Sequence, residues 1–522
     1  MPIEGLTLAG PADLRALLQA GLGDDPDAVA IVSADEQMSW RALDDASTRL
    51  AANYLALGLA AGDRVASLVP NRLALVVHYL ACFKTGLVTT PLNYRYTAPE
   101  IDHALSVSGA AALVAHAERA DDLAASRFAG DLSIGVVTVE GDAGGGGVHL
   151  ETLVSDDPGP VALTPAPHDA PAAIFFTSGS TGPAKGVTHS LETLGWMTAS
   201  AAAAFELTAG DRFLPASSMS HIGSFLWALA SFSVGGRVIV ARTFDAGEVL
   251  PLLRAHHPTV MAMIPAALTA LVRDHGVSAD DFASLRVCRA GSDTVALELE
   301  REFAALAGFL IDEGYGMTEV GLATLNPPSG EIRVGSIGQP IAGFAVSVRD
   351  DDHAEVAPGT VGRVWIRTRS RTVGYWENPE ASAEILRDGW LDSGDLAHAD
   401  DDGYLWFYGR KKQIIVHDGS NISPTEVEGA LADHPAVALV GVVGIHDEVH
   451  GENVRAYVTL EEGVARPTAQ DLIEHARATI GYKAPEEVVF LGEMPLNPTG
   501  KVDRATLKRI AEDHLHPHGL ER

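Results

Sequence analysis

One short segment, from Ala172 to Lys185, limits most strongly what this chain can fold into. It begins with an apolar run, Ala172 to Phe176, of the kind that forms a buried β-strand. Every residue from Thr177 to Gly182 is then Thr, Ser or Gly, and Lys185 follows. Accessible backbone amides, small hydroxyl groups and a lysine can together surround a chain of phosphates. The segment therefore predicts a nucleotide-binding loop, with a strand before it and the helical sequence LETLGWMTASAAAAFEL after it.

The loop differs from the P-loop of many nucleotide-binding proteins. In a P-loop the lysine directly follows a glycine, and a Ser or Thr that holds magnesium comes next. Here Gly179, Gly182 and Lys185 are evenly spaced, and Gly186 stands where the hydroxyl residue belongs. A flexible surface turn is the ordinary explanation of a Gly/Ser cluster. The lysine within the segment and the regular structure on both sides favour a nucleotide loop of another class.

The length and the charge of the chain limit its organisation and its partners. A chain of 522 residues is too long for one ordinary core, so two or more domains are expected. Its 37 Lys and Arg residues face 69 Asp and Glu residues, which gives a formal net charge of −32. Such a charge repels nucleic acid and anionic membranes, and we expect neither as a partner. A phosphate site must then be a local region of positive charge.

Cysteine usage and the apolar segments predict a cytoplasmic protein. Only Cys82 and Cys288 are present, which indicates neither a disulfide framework nor a cysteine-ligated zinc site. The N-terminus lacks the features of a signal peptide. The most apolar stretch, SFLWALASFSVGGRVIVA, is interrupted by serines, glycines and Arg237. It predicts a helix, a turn and a strand, and we expect no transmembrane segment.

Alternating helical and strand patterns up to about residue 400 predict an α/β fold. Helical spacing in WRALDDASTRLAANYLALGL is followed by the strand pattern DRVASLVP and by a second helix, RLALVVHYLACFKTG. From Gly362 onward, short strands are separated by Asp/Gly turns, and a compact α+β tail follows. We predict an N-terminal domain of residues 1–409 and a C-terminal domain of residues 410–522, the latter of ordinary domain size.

Four further stretches have residue types that packing alone does not require. They are DEGYGMTEVG, LDSGDLA, YGRKKQIIVHDGSNISPTEVE and PLNPTGKVDR. Taken singly, each is more simply explained as a turn, a cap or a solvated lysine, because short motifs recur by chance. Their order and separations along one chain are hard to explain in this way.

Together with the loop TSGSTGPAKG, these stretches resemble the AMP-forming acyl-CoA synthetases, whose relatives include luciferases and peptide-synthetase adenylation domains. The resemblance runs from about Pro26 to Arg504, with Ser180 for the commoner Thr and Ala184 for the commoner Pro. It implies a large N-terminal domain of stacked α/β sheets with a small β-barrel-like part, then a small mobile α+β C-terminal domain. It also implies ATP, Mg²⁺ and coenzyme A as cofactors.

The chemistry of that family accounts for these residue types. A carboxylate attacks the α-phosphorus of ATP and expels pyrophosphate, so catalysis must neutralise charge and hold the attack in line. The resemblance implies a nucleotide site drawn from the loop and from the later motifs. Its residues are Thr177, Ser178, Gly179, Ser180, Thr181, Gly182, Lys185, Glu313, Gly314, Tyr315, Gly316, Met317, Thr318, Asp395, Arg410 and Lys501.

Three of the motif residues are expected to be catalytic. The resemblance implies that Glu319 binds the magnesium ion, for which an oxygen ligand is suitable, and that Thr318 contacts phosphate. Lys501 would bridge the carboxylate and the α-phosphate. That role requires the C-terminal domain to close over the site.

The remaining nucleotide contacts also follow from the resemblance. The loop and Lys185 would hold the β- and γ-phosphates. Tyr315 would lie against the adenine, and Glu313 beside the contact to the purine edge. Asp395 would accept hydrogen bonds from the two ribose hydroxyls, with Arg410 close by.

The second half-reaction in this family is attack of a thiol on the acyl-adenylate. The C-terminal domain is expected to swing about a hinge at Lys412, and Gly419 to leave room for the pantetheine arm of CoA. A carrier-protein phosphopantetheine is an alternative acceptor, although the chain contains no carrier domain. A non-catalytic adenylate-binding protein is a weaker alternative, because Lys501 and Glu319 are both present.

The stretch LPASSMSHIGSFLWAL occupies the position of the acyl pocket in the family. The expected substrate-binding residues are Met219, His221, Ile222 and Gly223. A lone histidine near an apolar helix is more often a packed residue, but its register with the family favours a place for His221 at the pocket mouth. Amino-acid-activating relatives carry an Asp where Ile222 stands. Without it nothing pairs a desolvated ammonium, so an α-amino acid is not expected.

The sequence constrains the size of the acid pocket and the oligomeric state less strongly than it constrains the nucleotide site. Small residues predict a roomy apolar tunnel for a fatty or aryl acid; they are Ser217, Ser218, Gly223, Gly321 and Ala323. Asp293 fits either a helix cap or a contact to a polar substrate group, and the sequence does not decide between them. The expected partners are a carboxylic acid, ATP and CoA, and a homodimer is compatible with the sequence.

Overall fold

The computed structural model of the protein describes residues 8–515 apart from residues 142–146, 160, 178–183, 292–294, 418–419, 448–450, 462 and 498–499. Its strands, numbered along the chain, are β1 (Val29–Val32), β2 (Gln37–Ser39), β3 (Arg64–Leu68), β4 (Val88–Pro91), β5 (Ala112–His116), β6 (Gly135–Val139), β7 (Val148–His149), β8 (Pro171–Thr177), β9 (Lys185–Ser190), β10 (Arg212–Ala216), β11 (Arg237–Ile239), β12 (Val260–Met263), β13 (Val287–Ala290), β14 (Gly314–Met317), β15 (Gly321–Leu325), β16 (Gln339–Pro340), β17 (Phe344–Arg349), β18 (Gly362–Thr368), β19 (Gly374–Tyr375), β20 (Leu386–Arg387), β21 (Trp390–Ala399), β22 (Leu405–Arg410), β23 (Ile415–His417), β24 (Ser420–Ile422), β25 (Val437–Asp447), β26 (Gly451–Leu460) and β27 (Glu487–Phe490). Its α-helices are α1 (Gln19–Asp24), α2 (Trp40–Ala56), α3 (Leu73–Thr85), α4 (Ala98–Ser108), α5 (Ala120–Ala125), α6 (Leu150–Ser155), α7 (Leu191–Ala204), α8 (Ile222–Ser233), α9 (Ala246–His256), α10 (Pro265–Asp274), α11 (Ala279–Phe282), α12 (Leu297–Ala307), α13 (Pro379–Ile385), α14 (Pro424–Ala432), α15 (Ala469–Ile480) and α16 (Arg504–Leu515).

Two largely parallel sheets form the body of the N-terminal domain. One has the strand order β13-β12-β10-β11-β1-β2, and only β2 at its edge is antiparallel. The other has the order β19-β9-β8-β4-β3-β5-β6-β7 and is parallel from β8 to β7. Strands such as β5 and β12 are buried along their whole length, as parallel strands covered on both faces are.

Helices α3 and α8 lie in the core that joins the two sheets. The ring centroid of Phe225 on α8 lies 4.9 Å from that of Tyr79 on α3 and 5.0 Å from that of Phe175 on β8. Phe213 and Val260 of the other sheet belong to the same cluster of buried side chains. Both helices are apolar nearly all round because they are covered on all sides. The expected stack of α/β sheets is confirmed.

Antiparallel strands follow, from β14 onward. Strands β14, β15 and β16 form a three-stranded sheet, and β17, β18, β21 and β20 form a second one to which β22 adds through β21. These two sheets correspond to the small β part expected from Gly362 onward, although its first strands come earlier in the chain than that residue.

The C-terminal domain has its own sheet and its own core. The sheet order is β24-β23-β26-β25, with β27 parallel to β26. Helices α14 and α15 cover it through buried residues such as Val427, Leu431 and Leu472. Strand β22 ends at Arg410 in the large domain, and β23 begins at Ile415 in the small one. The order of a large domain and a small one is confirmed, whereas the boundary at residues 409 and 410 stays a prediction.

The last loop of the C-terminal domain reaches the large domain at the carboxyl edge of its first sheet. A Cβ added at Gly500 would lie 3.7 Å from Cδ1 of Ile264, which directly follows β12. An ion pair between Arg273 and Glu461, with 3.4 Å between nitrogen and oxygen, lies between the same domains. Ligands of open α/β sheets bind outside the carboxyl ends of the strands, so this contact brings residue 501 to the expected side of the fold.

The most apolar stretch of the chain forms the helix, turn and strand that the sequence predicted. The stretch SFLWALASFSVGGRVIVA forms most of α8, a turn and β11. Among the residues described here, no helix combines the length and the apolar character needed to cross a membrane.

Candidate active site

The predicted nucleotide loop connects two antiparallel strands. Thr177 at the end of β8 pairs with Lys185 at the start of β9, and β9 then leads into α7. The helix after the loop is thus present, while the intervening strand β9 is an addition to the prediction. Five expected phosphate contacts, Ser178, Gly179, Ser180, Thr181 and Gly182, lie outside the described residues.

Lys185 lies at the base of this hairpin. Its Nζ is 5.0 Å from the centre of the Tyr375 ring, over its face. Strand β19, which carries Tyr375, pairs with β9 and so fixes this contact. Lys185 is exposed, so its cation is accessible to phosphate oxygens.

Tyr315, Asp395 and Arg410 come together although 80 residues separate the first two. The hydroxyl of Tyr315 on β14 donates a hydrogen bond of 2.6 Å to Oδ2 of Asp395 on β21. Asp395 pairs across the sheet with Arg410 on β22, whose Nε lies 3.3 Å from Oδ1. The ring of Tyr315 stacks on Phe407 at 6.2 Å between centroids. The sequence predicted this group of three residues, and the structure brings them together.

The carboxylate oxygen Oδ1 of Asp395 is available to accept a hydrogen bond from a ligand hydroxyl. Asp395 is only 4% exposed, and burial raises the pKa of its carboxyl group, partly offset by Arg410 and Tyr315. Oδ1 is buried and accepts no hydrogen bond from any described residue, since Arg410 approaches it at an unfavourable angle. A buried carboxylate oxygen without a donor is costly to keep and indicates a place for a ligand hydroxyl.

Glu319 directly follows Thr318 at the turn between β14 and β15. The hydroxyl of Tyr375 donates to Oε1 of Glu319 at 2.8 Å, and burial raises the pKa of the carboxyl group. No group of three or more His, Cys, Asp or Glu side chains suited to a metal was found in the described part of the chain. The magnesium role expected of Glu319 stays a prediction, for which a carboxylate oxygen is a suitable ligand.

His189 fixes the position of the Thr318 backbone. It is fully buried on β9, and burial lowers the pKa of its imidazole to about 4, so the ring is neutral at ordinary pH. Its Nε2 donates a hydrogen bond of 2.8 Å to the carbonyl oxygen of Thr318. His189 thus links the strand that follows the phosphate loop to the turn that carries Thr318 and Glu319.

The remaining residues of the DEGYGMTEVG stretch serve the packing of β14 against β15. A Cβ at Gly316 would lie 2.2 Å from the carbonyl oxygen of Gly321, and one at Gly314 would lie 2.7 Å from that of Thr324. Met317 packs at the edge of the main core. Glu313 accepts a hydrogen bond of 2.8 Å from the amide of Gly335, and burial raises its pKa to about 7. The glycines therefore have a structural reason beside the expected nucleotide role.

His221 occupies the N-cap position of α8, without a capping bond from its side chain, and lies close to Lys501 of the C-terminal domain. Its pKa is lowered to about 4, first by burial and then by the positive charge of Lys501. The amide nitrogen of Asn93 lies 3.2 Å from Nε2 of His221 and donates to it. The charge of Lys501 also opposes the rise in the pKa of Asp395 that burial causes. Lys501 therefore lies within electrostatic reach of both the expected acid site and the expected ribose contact.

The residues around His221 differ in what they contact. Met219 is buried in the main core, and its backbone bonds to Asn71 and Tyr79. Ile222 and Gly223 are partly exposed in the first turn of α8. A Cβ at Gly223 would meet only the indole of Trp227, 3.6 Å from Nε1.

The expectation of a roomy tunnel is wrong at Gly321. A Cβ there would lie 2.5 Å from Cγ of Met197, and Leu226 is also close. Ala323 is fully buried in the same cluster. These small residues admit neighbouring core side chains, so the space they leave is already filled.

Lys412 lies in the short 3-10 helix Lys411–Gln413 between the last strand of the large domain and the first strand of the small one. It is exposed, as a hinge residue can be. Gly419 and Asp293 lie outside the described residues.

Three residues that hydrogen-bond to the motif residues, through side chain or backbone, were not predicted from the sequence. They are Asn93, His189 and Tyr375, which bond to His221, Thr318 and Glu319 respectively. His189 is only four residues after Lys185, so its proximity to the loop was a usable signal. Asn93 and Tyr375 come from distant parts of the chain.

Comparison with known proteins decides the family. Residues 18–376 match the AMP-binding enzyme family, and residues 426–501 match the C-terminal domain of AMP-binding enzymes. The chain belongs to the AMP-binding enzyme family. This membership confirms the resemblance drawn from the motifs and the α/β fold with a small C-terminal domain.

Named relatives of this AMP-binding enzyme cover nearly all of it. A fatty acid–[acyl-carrier-protein] ligase, ScoC, from Streptomyces coeruleorubidus is 33% identical over 502 residues, 93% of each chain. A feruloyl-CoA synthase from an Amycolatopsis species is 33% identical over 493 residues, 93% of this chain and 96% of the relative. The ATP-bound crystal structure of MatB from Rhodopseudomonas palustris matches with a TM-score of 0.88 at 28% identity, covering 97% of this chain and 99% of that one. The expectation of an ATP-dependent acid–thiol ligase is confirmed at the level of the reaction class.

Proposed function

We propose that this AMP-binding enzyme is a carboxylic acid:CoA ligase that acts on a fatty or aryl acid. In the first step the carboxylate of the acid attacks the α-phosphorus of ATP, and pyrophosphate leaves. In the second step the thiol of CoA attacks the carbonyl of the acyl-adenylate, and AMP leaves. The observation that carries this proposal is the approach of Lys501, from the C-terminal domain, to both His221 and Asp395 of the large domain.

The first step requires positive charge where two anions meet. In the proposed arrangement Lys501 supplies that charge between the attacking carboxylate and the α-phosphate. His221 stays neutral above a pKa of about 4 and adds no charge of its own. It can therefore border the acid without competing with Lys501 for the carboxylate.

The nucleotide is held by groups on either side of this centre. Asp395 accepts hydrogen bonds from the ribose hydroxyls through the oxygen that no described residue bonds. The ring of Tyr315, which its hydrogen bond to Asp395 holds in place, lies against the adenine. Lys185 and the loop from Thr177 to Gly182 hold the β- and γ-phosphates. Glu319 holds Mg²⁺, which when bound offsets the charge of the phosphate oxygens.

The second step uses another arrangement of the same chain. We propose that the C-terminal domain, residues 410–522, turns about Lys412 once the adenylate has formed. Lys501 then leaves the reacting centre, and the segment around Gly419 approaches it and admits the pantetheine arm. The exposed 3-10 helix at Lys411–Gln413 is a short connection that can change its backbone angles.

A carrier-protein phosphopantetheine is the second candidate acceptor. The relative from Streptomyces coeruleorubidus, at 33% identity, is named as a fatty acid–[acyl-carrier-protein] ligase. Both acceptors end in the same pantetheine thiol, so the site described above serves either of them.

A panel of carboxylic acids, read by pyrophosphate release with and without CoA, tests this function. We expect pyrophosphate release with at least one fatty or aryl acid, and an acyl-CoA product only when CoA is added. Acyl transfer to a phosphopantetheinylated carrier protein but not to CoA would favour the second acceptor. No pyrophosphate release with any acid would contradict the proposal.

We also propose that the enzyme works in the cytoplasm, where ATP and CoA are available, as part of fatty or aromatic acid metabolism. A homodimer is proposed as its oligomeric state. Light scattering coupled to size-exclusion chromatography distinguishes a dimer from a monomer of 54.8 kDa.

A further inference from the structure

Arg289 on β13 is a buried guanidinium group that no described carboxylate pairs with. Its side chain is 92% buried, since its relative exposure is 8%. It forms no ion pair with any residue the structure describes, and its one hydrogen bond to such a residue runs from Nη2 to the carbonyl oxygen of Gly314 at 3.3 Å. Nε is buried and donates to no acceptor in the described part of the chain. Arginine has five N–H donors, so most of its capacity is unused.

The surroundings of Arg289 do not neutralise it. Burial lowers its pKa to about 10, so the group stays charged at neutral pH. Asp312 is the acidic residue within electrostatic reach, but burial and Glu300 raise the pKa of that carboxyl group to about 8. Asp312 forms neither an ion pair nor a hydrogen bond with Arg289, whose hydrogen bond among the described residues goes to Gly314. An uncompensated buried charge is strongly unfavourable, so the site stands ready for an anion.

Three neighbouring segments hold the guanidinium in place. Its Cζ lies 5.3 Å from the centre of the Trp227 ring on α8, over the face of the indole. Gly291 leaves room for it, because a Cβ there would lie 2.6 Å from Nη1. Gly314 directly precedes Tyr315 on β14. The guanidinium thus lies where α8, the end of β13 and β14 meet.

These are the segments that carry the proposed acid and nucleotide contacts. The indole of Trp227 lies beside Gly223, in the first turn of α8, and His221 is the residue that precedes this helix. Arg289 lies over that indole and therefore next to the start of α8, on the same helix as the proposed acid contacts.

We propose that Arg289 is a specificity-determining residue that binds a second anionic group, a carboxylate or sulfonate, at the far end of the acid substrate. This inference rests on the proposed function, because it takes Lys501 and His221 to border the reacting carboxylate. The planar guanidinium pairs with two oxygens of such a group at once, and the indole of Trp227 keeps its plane fixed.

The test compares dicarboxylic acids of graded length and aromatic dicarboxylic acids with their monomethyl esters, read by pyrophosphate release. Each ester keeps the reacting carboxylate and removes the distal charge. We expect the best diacid to exceed its ester in kcat/KM by about 100-fold or more, because a site built for a polar group rejects a substrate that lacks it. Equal use of the diacids and the esters, or a preference for the esters, would overturn the inference and leave the proposed function standing.

Substitution of Arg289 separates recognition from structure. In Arg289→Met we expect kcat/KM for the diacid to fall by about 100-fold, mainly through KM, and that for the ester to change by less than about threefold. Arg289→Lys should retain part of the preference for the diacid over its ester. The matched control is Arg254→Met, since Arg254 is half exposed, pairs with Asp281 and should leave the diacid-to-ester ratio unchanged.

Thermal denaturation gives a readout that does not depend on turnover. Without substrate, Arg289→Met should melt no lower than the parent protein, because it removes an uncompensated buried charge. The preferred diacid should raise the melting temperature of the parent protein but not that of the variant. A lower melting temperature together with equal losses for the diacid and the ester would mean that Arg289 is structural. Absence of pyrophosphate release with every acid would overturn the proposed function, and this inference with it.

Discussion

Replacement of Asp395 should weaken the binding of ATP through its ribose. In the structure, Oδ2 of Asp395 accepts the hydroxyl of Tyr315 at 2.6 Å, while buried Oδ1 accepts no hydrogen bond from a described residue. Hydrogen bonds to a charged group contribute about 1.5–3 kcal/mol, and about 1.4 kcal/mol is a tenfold change in affinity. Asp395→Ala should therefore lower the affinity for ATP by at least about tenfold, and up to about 100-fold.

Two further variants show which part of the group is responsible. Asp395→Asn keeps the volume and an acceptor oxygen but loses the charge, so its affinity for ATP should fall between those of the parent protein and the alanine variant. Tyr315→Phe removes one hydroxyl and leaves the carboxylate, so its affinity should change by less than about tenfold. A larger loss in Tyr315→Phe than in Asp395→Ala would contradict the assignment.

Deoxyribose nucleotides make the assay specific for the hydroxyl groups. The parent protein should bind 2′-deoxy-ATP and 3′-deoxy-ATP more weakly than ATP, whereas Asp395→Ala should hardly distinguish the three nucleotides. Titration calorimetry measures the affinity of each nucleotide for the parent protein and for Asp395→Ala. The coupling energy between Asp395 and each ribose hydroxyl then follows from the cycle of the two proteins and the two nucleotides. The reasoning is refuted if Asp395→Ala binds ATP unchanged, or if it discriminates against the deoxynucleotides as strongly as the parent protein does.

Two more predictions concern buried carboxyl groups. Glu319→Gln should lower the rate of pyrophosphate release by a factor of about 10²–10³ and should require a higher concentration of free Mg²⁺ for half-maximal rate. An unchanged Mg²⁺ titration would argue against Glu319 as the metal ligand. In the folded protein the pKa of Asp312 is raised from 3.8 to about 8, so the folded protein holds this proton more tightly than the unfolded chain does. The free energy of unfolding therefore decreases as the pH rises from about 4 to about 8. Asp312→Asn should therefore melt at a higher temperature than the parent protein at pH 9 and at a similar temperature at pH 5, and equal melting at both pH values would show that Asp312 does not titrate in this window.

Regular structure and the main motif contacts could be predicted from the sequence because they depend on local patterns. The helical spacing in the segments of α2 and α3 and the strand between them were visible as periodicity. The grouping of Tyr315, Asp395 and Arg410 followed from the family resemblance. Strand pairing between β21 and β22 then brings Asp395 and Arg410 opposite each other.

Contacts between distant strands could not be predicted in the same way. The bond from Tyr375 to Glu319 depends on β19 pairing with β9, and single-sequence patterns do not specify such pairing. Gly321 illustrates a different limit, because a missing side chain indicates available space but not which neighbour fills it. In this protein Met197 fills it. Arg289 carries no sequence signal either, since its lack of a charge partner is a property of packing.

The central claim is that one site, completed by Lys501 from the C-terminal domain, performs the adenylation step. The direct test measures Lys501→Ala along two routes: acid plus ATP, and synthetic acyl-adenylate plus CoA. Loss of one preorganised positive group typically costs about 10²–10³ in rate, so the first route should slow by that factor while the second stays near the parent rate. Equal losses on both routes with the fold intact, or no loss on either route, would contradict the account.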